Sequence, residues 1–207
     1  MTVKLAVICY SATGSTWALA EAVAEGAESA GAEVRLRRVR ELAPEEAITS
    51  NPRWRAHRDR VQAIPEAELA DLEWAEAVLF GTPTRYGLPT AQLKQFLDQT
   101  GGLWAQGKLV DKVVSAFCSA GTAHGGHETT ITSLSHTFFH WGAIIVPPGY
   151  ASEIQMKAGT PYGASYASEN GKRLPDETTL ASARFQGRRV AEVAADLLAG
   201  RSSGVAR

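Results

Sequence analysis

Short, continuously apolar runs recur along this chain, separated by stretches with helical spacing. Val3–Tyr10, Ala75–Thr82 and Val113–Ser119 have the pattern of strands buried on both faces, and the shorter Ala143–Val146 predicts a fourth. Glu33–Val39 differs: Val34 and Leu36 stand with arginine between them, the alternation of an edge strand. In Thr16–Ala30, Trp17, Leu19, Ala20, Val23, Ala24 and Ala27 recur at helical spacing, and Gly31 closes the segment as a C-terminal cap. Ala91–Gln99, Glu128–Trp141 and about Leu180–Leu198 predict further helices. The last of these gathers Ala183, Val190, Val193, Ala194 and Leu197 on one face. Two stretches lack such a period. Ala43–Pro65 is polar, holds Pro44, Pro52 and Pro65 and the basic cluster RWRAHRDR (53–60), and reads as an insertion or long loop with a solvated surface. Pro147–Asp176, rich in Gly, Pro, Ser and Tyr, is too long for an idle connection.

Strands alternating with helices predict an α/β fold, a doubly wound parallel sheet with helices on both faces. The expected unit is one domain over residues 1–200, with 201–207 (RSSGVAR) as a frayed tail. At 207 residues, such a domain can bury a substantial core. A formal net charge of -1 gives no reason to expect nucleic acid as a partner. No apolar run approaches the ~20 residues of a membrane helix, so no membrane insertion is expected. The apolar run after Lys4 is too short for a secretory leader. Cys9 and Cys118 lie inside apolar runs and read as small buried hydrophobes rather than a disulfide or metal pair. The cytoplasm is the simplest compartment.

In open α/β sheets ligands bind beyond the carboxyl ends of the strands, which directs attention to the loops after Tyr10, Gly81 and Ser119. The first loop, Ser11-Ala12-Thr13-Gly14-Ser15-Thr16, opens a helix. Unpaired backbone N–H groups and the positive end of the dipole favour an anion there, the hydroxyls add donors, and Gly14 permits close approach. The alternative is a plain helix cap made by Ser11 or Thr13. Neither a P-loop lysine nor a Gly-x-Gly-x-x-Gly pattern is present, which disfavours ATP and a Rossmann dinucleotide. The second loop, GTPTRYG, offers Thr84 and Tyr86 to a flat ring and Arg85 as a charge; a core aromatic and a surface arginine are the plainer readings. In the third, SAGTAHGGHE, three glycines let main-chain amides face a ligand. His136 and His140 share a helix face, with His124 and His127 nearby. No His-Glu-x-x-His pattern or neighbouring cysteine completes a set, and no metal is expected.

Together, SATGST, GTPTRYG, FLDQTGGLW (Phe96–Trp104), the Gly-rich third loop, GTPYGA (Gly159–Ala164) and ARFQG (Ala183–Gly187) resemble the WrbA-type NAD(P)H:quinone oxidoreductases, flavodoxin-like FMN proteins, over nearly the whole chain. The resemblance implies a five-stranded parallel sheet in the order 2-1-3-4-5. It places the FMN phosphate on Ser11, Ala12, Thr13, Gly14, Ser15 and Thr16. Ring contacts would come from Pro83, Thr84, Arg85, Tyr86 and Gly87 and from Ser119, Ala120, Gly121, Thr122, Ala123, His124 and Gly125. His140 matches a flavin-contacting position, the best candidate for a catalytic hydrogen-bond or proton donor, and Trp104 matches one that borders the substrate space. A homotetramer whose neighbours complete each flavin pocket is also implied. Two departures stand out. Thr13 replaces an aromatic residue, usually Tyr, near the nicotinamide site, and Ala123-His124 interrupt the glycines of the third loop.

The implied activity is two-electron reduction of quinones by NADH or NADPH, ping-pong through one site over the flavin. The competing class is an electron-carrier or regulatory flavoprotein with little turnover, kept open by Thr13. Arg53, Arg55 and Arg58 are candidates for a 2′-phosphate contact on a loop that the sequence does not place.

Overall fold

The computed structural model describes residues 2–202. Its centre is a parallel sheet in the order β2-β1-β3-β4-β5. The strands are β1 (Lys4–Cys9), β2 (Glu33–Arg38), β3 (Ala77–Pro83), β4 (Val113–Ala120) and β5 (Ile144–Ile145). The expected order is borne out, and a sixth strand, β6 (Ser165–Ala167), joins β4.

The apolar runs have no polar face because successive side chains enter two different cores. Leu5, Val7 and Cys9 of β1, with Leu79 and Phe117, pack beneath α1 (Ser15–Ser29). Ala6, Ile8 and Tyr10, with Phe80 and Cys118, pack on the opposite side with Leu93, Phe96, Leu134 and Phe138. Those residues belong to α5 (Ala91–Asp98) and α7 (His127–Trp141), which follow α2 (Glu45–Thr49), α3 (Pro52–Val61), α4 (Leu69–Trp74) and, between them, α6 (Gly101–Ala105). β2 lies at the edge of the strand order, as the arginine alternation predicts, and its last residue, Arg38, bridges Glu66 on the outer side. Cys9 and Cys118 are buried free thiols, and burial pushes the Cys118 thiol up to about 12.

The stretch expected to be a long loop, Ala43–Pro65, is instead largely helical. Asn51 caps α3 by accepting from the N–H groups of Arg53 and Trp54, and Pro52 occupies the first turn, where its missing N–H costs nothing. The basic cluster is not simply solvated. His57 is buried, Arg58 pairs with Glu45 at 2.6 Å, and Arg60 reaches Glu21 of α1 at 2.7 Å.

Pro147–Asp176 also carries structure. β5 pairs with the beginning of β4, at Val113 and Val114, and the chain then leaves at Pro147-Pro148, which have no N–H to donate. After α8 (Glu153–Ala158) it returns as β6 along the end of β4, at Cys118, Ser119 and Ala120. The gap is filled by a side chain from α9 (Glu177–Ser202). Gln186 Nε2 donates to the Ala116 carbonyl at 2.9 Å and to Ser115 Oγ at 2.7 Å, and its Oε1 accepts from Ala164 N–H at 2.8 Å. Gly163 permits the return, since a Cβ there would lie 2.0 Å from the Ala116 carbonyl oxygen. The GTPYGA and ARFQG motifs are thus two halves of one joint. α9 runs longer than Leu180–Leu198 at both ends, and reaches Arg201 and Ser202 of the expected tail. Residues 203–207 lie outside the described residues.

Candidate functional site

Three loops meet at the carboxyl edge of the sheet, as the sequence predicts, and a fourth segment joins them. A cavity of about 170 Å³ is lined by Ser11–Thr13, Ser15 and Thr16, by Pro83–Arg85, by Ser119–Gly121, and by Ser168, Asn170 and Gly171. The last three residues were not legible as site residues. They arrive because β6 ends here: Ser168 N–H donates to the Ala120 carbonyl at 2.8 Å, and Asn170 N–H to the Gly121 carbonyl at 3.1 Å.

In the first loop the helix-cap alternative fails. The N-cap of α1 is Gly14, left-handed at φ 95°, and no side chain caps the helix. Ser11 Oγ is turned back to accept the Gly14 N–H at 3.1 Å. The N–H groups of Thr13, Ser15, Thr16 and Trp17 have no partner among the described residues, although Ser15, Thr16 and Trp17 are buried. Buried main-chain donors are almost always paired, and a group of open ones at the positive end of a helix suits an anion. Thr16 Oγ1 and Ser119 Oγ lie 2.7 Å apart and tie the first loop to the third.

The second loop is a tight two-residue reversal. Arg85 and Leu88 bond reciprocally around Tyr86 and Gly87, both with positive φ (55° and 80°). Left-handed backbone at a tyrosine is strained, and such strain concentrates at binding sites. Tyr86 is fully exposed, so the core-aromatic reading is wrong. Thr84 Oγ1 fixes the loop by accepting from Gly87 N–H at 3.1 Å and from Thr130 Oγ1 at 2.7 Å. In the third loop Ser119, Ala120 and Gly121 line the cavity, while Thr122, Ala123 and His124 are exposed on its rim and Gly125 is half-buried behind them.

Trp104 and His140 are neighbours of each other but not of this cavity. The Trp104 indole donates to the His140 carbonyl at 2.7 Å. α7 leaves the third loop at His127, and thirteen further residues at ~1.5 Å each place His140 about 20 Å away, towards the opposite edge of the sheet. Phe139 and Trp104 are exposed there (66% and 54%).

α3 covers the first loop from outside. A Cβ on Gly14 would lie 3.3 Å from His57 Nδ1, and the His57 and Trp17 rings are 6.0 Å apart. Beside them is a larger cavity of about 330 Å³ that shares only Ser11 with the cleft. At its wall Glu41 accepts from Tyr10 Oη at 2.8 Å, Trp54 Nε1 at 3.0 Å and Gln92 Nε2 at 2.8 Å, locking α3 and α5 to the base of the loop. Burial works against the Glu41 charge, but the donors from Ala43, Gln92, Tyr10 and Leu42 outweigh it and hold the carboxyl below its usual range.

Burial, and then the charge of Arg60, push His57 down to about 4 from 6.5. The undocked helix therefore takes up a proton that the docked one refuses. Docking of α3 is unaffected above pH 6.5, weakens as pH falls from 6.5 to about 4, by up to about tenfold per unit, and is constant below. Arg38, Glu41, Arg58 and Asp59 also line the space beside His57. Protease cleavage within 50–62 is expected to accelerate over that window in the wild type and stay flat in His57→Gln; identical profiles would show that another group controls docking.

A family model described as NADPH-dependent FMN reductase matches residues 3–156. The chain belongs to this family. An NAD(P)H dehydrogenase (quinone) from Deinococcus radiodurans is 49% identical over 95% of this chain and 98% of its own. A protein of the same name from Aromatoleum aromaticum is 46% identical over 97% and 100%. A WrbA-like flavodoxin from Agrobacterium tumefaciens superposes with a TM-score of 0.67 at 27% identity, covering 94% of this chain and 99% of that one. The WrbA-type resemblance is borne out, and with it an oxidoreductase family whose flavin is FMN. The open donors of the first loop fit a phosphate monoester such as that of FMN.

Proposed function

We propose that this protein is an FMN-dependent NAD(P)H:quinone oxidoreductase working by ping-pong kinetics. The observation that carries the reading is the set of open N–H donors at Thr13, Ser15 and Thr16, residues that line a cavity walled by all three motif loops. FMN would supply two-electron transfer from a nicotinamide nucleotide to a quinone. The chain's residues bind and orient. The first loop holds the phosphate, while Pro83–Gly87 and Ser119–Gly125 border the ring. Glu41, Tyr10 and Trp54 keep the first loop in place from behind.

Trp104 and His140 enter this reading through the quaternary structure. Neither lines the cleft of its own chain, so a homotetramer in which a neighbour supplies them is part of the proposal. The exposed Phe139 and Trp104 suit such an interface.

The test is to add FMN to the purified protein and follow oxidation of NADH and of NADPH with and without benzoquinone. Bleaching of the bound flavin by a nucleotide, recovery on quinone addition and parallel double-reciprocal lines are expected. Bound flavin that no nucleotide bleaches would favour the electron-carrier or regulatory reading and implicate Thr13. Failure to bind FMN would sink both.

A further inference from the structure

The donors of the first loop are neutral, yet a phosphate monoester carries between one and two negative charges at neutral pH. The one arginine among the cleft's lining residues is Arg85 of the second loop, whose Nη1 donates to the Thr84 carbonyl at 3.0 Å. A second cation comes from α3. A Cβ on Gly171 would lie 3.2 Å from Arg53 Nη1 and 3.7 Å from Thr13 Oγ1, so the guanidinium and the hydroxyl flank one glycine of the cleft wall. Gly171 has a φ of 81°, a conformation that keeps this approach free of a side chain.

Arg53 differs from Arg58 and Arg60 in what it does with its charge. Arg58 is paired with Glu45 and Asp59, and Arg60 with Glu21. Arg53 has no carboxylate partner among the described residues; its contact is the Asn170 carbonyl, at 3.5 Å the outer limit of a hydrogen bond. It is exposed, and the helix under it is fixed. His57, one turn further along the same face, is seated on Gly14, and Arg60 is anchored to α1. The helix thus holds an uncompensated guanidinium at the mouth of a cleft whose open donors select an anion.

We propose that Arg53 is a binding residue for the phosphate of the ligand in this cleft, reaching over the rim between Thr13 and Gly171. This rests on the reading of the cleft as a flavin site. The chemistry, a guanidinium on a phosphate oxygen, is the same for two sources: the 5′-phosphate of FMN, and the phosphates of the nicotinamide nucleotide that passes Thr13.

The experiment uses the full chain, wild type, Arg53→Gln and Arg53→Lys. FMN and riboflavin affinities are measured by flavin fluorescence on protein freed of flavin. Affinities for NAD⁺ and NADP⁺ are measured by perturbation of the flavin spectrum in the FMN-loaded protein. A lost charge-assisted hydrogen bond at a solvated rim corresponds to a dissociation constant about tenfold higher. If FMN is the source, Arg53→Gln weakens FMN and leaves riboflavin unchanged, and Arg53→Lys recovers part of the loss. If the nucleotide is the source, FMN affinity holds while NAD⁺ and NADP⁺ both weaken, or NADP⁺ alone if the 2′-phosphate is the group held. An equal loss for FMN and riboflavin would mean that the substitution disturbs the cleft generally, and would overturn the proposal. So would unchanged affinities for every ligand in a variant of a wild type that binds FMN. A wild type that takes up no FMN would overturn the flavin reading itself.

Discussion

Replacing Gln186 with leucine is expected to destabilise the protein by about 2–5 kcal/mol and to weaken its flavin site as a consequence, although Gln186 does not line the cleft. The amide is fully buried and substitutes for a missing stretch of strand between β5 and β6. Leucine has a similar volume, so the loss lies in the partners left behind. Ala164 N–H loses its acceptor and the Ala116 carbonyl its donor, in a place that water does not reach, at roughly 1–3 kcal/mol each. Ser115 Oγ keeps its bond to the Val146 carbonyl and contributes less. With the Ala164 N–H unpaired, the beginning of the three-residue β6 is left to the bond from Cys118 N–H to the Ala164 carbonyl at 3.0 Å, and Ser168, Asn170 and Gly171 follow directly from its end. Chemical denaturation of flavin-free protein reads the first effect. FMN affinity and protease cleavage within 147–176 read the second. Unchanged stability would mean that β6 pairing and the Gly163 approach suffice without the amide, and the ARFQG motif would need another explanation.

That joint also shows what the sequence could and could not reveal. β1, β3 and β4 were legible because their apolar side chains enter two cores in turn, which leaves a nearly continuous apolar run. β6 was not, since it is three residues long and is positioned by a side chain distant in sequence. α3 was hidden by its charges. Its buried residues, His57 and Val61, with half-buried Trp54, stand at i, i+3 and i+7, but arginines and Asp59 dilute that stripe below the level of a visible period. The usable signal was Asn51-Pro52, a cap followed by a first-turn proline. The first loop was ambiguous for a different reason. Serine and threonine serve equally as caps and as ligand donors, and only the turn of Ser11 Oγ towards Gly14 N–H, with the cap given to a left-handed glycine, leaves the remaining amides open. The roles expected of Trp104 and of His140 rest on the resemblance, and a motif match carries no information about which copy of the chain supplies a residue.

Co-expressed variants should separate these two contributions. Gly14→Asp puts a carboxylate into the anion cradle, at a position where φ is 95° and His57 Nδ1 leaves little room for a Cβ. Chains carrying it are expected to bind no FMN and to show no turnover. Trp104→Ala leaves every cradle residue intact, so FMN affinity should hold, while quinone turnover falls by at least about tenfold with the loss of an aromatic wall over the flavin. If a neighbouring copy supplies Trp104, a mixed oligomer contains sites made of an intact cradle from one chain and an intact tryptophan from the other. Under random assortment roughly a quarter of the sites in a closed oligomer are then whole, and turnover should reappear at that fraction. The same two variants purified separately and assayed together without subunit exchange should stay inactive. If each chain completed its own site, the mixture would show only the two residual activities added together. That result would require α7 to carry His140 back across a distance of about 20 Å, which a continuous helix cannot do. The proposed roles of Trp104 and His140 would then have to be withdrawn together, since the Trp104 indole is bonded to the His140 carbonyl.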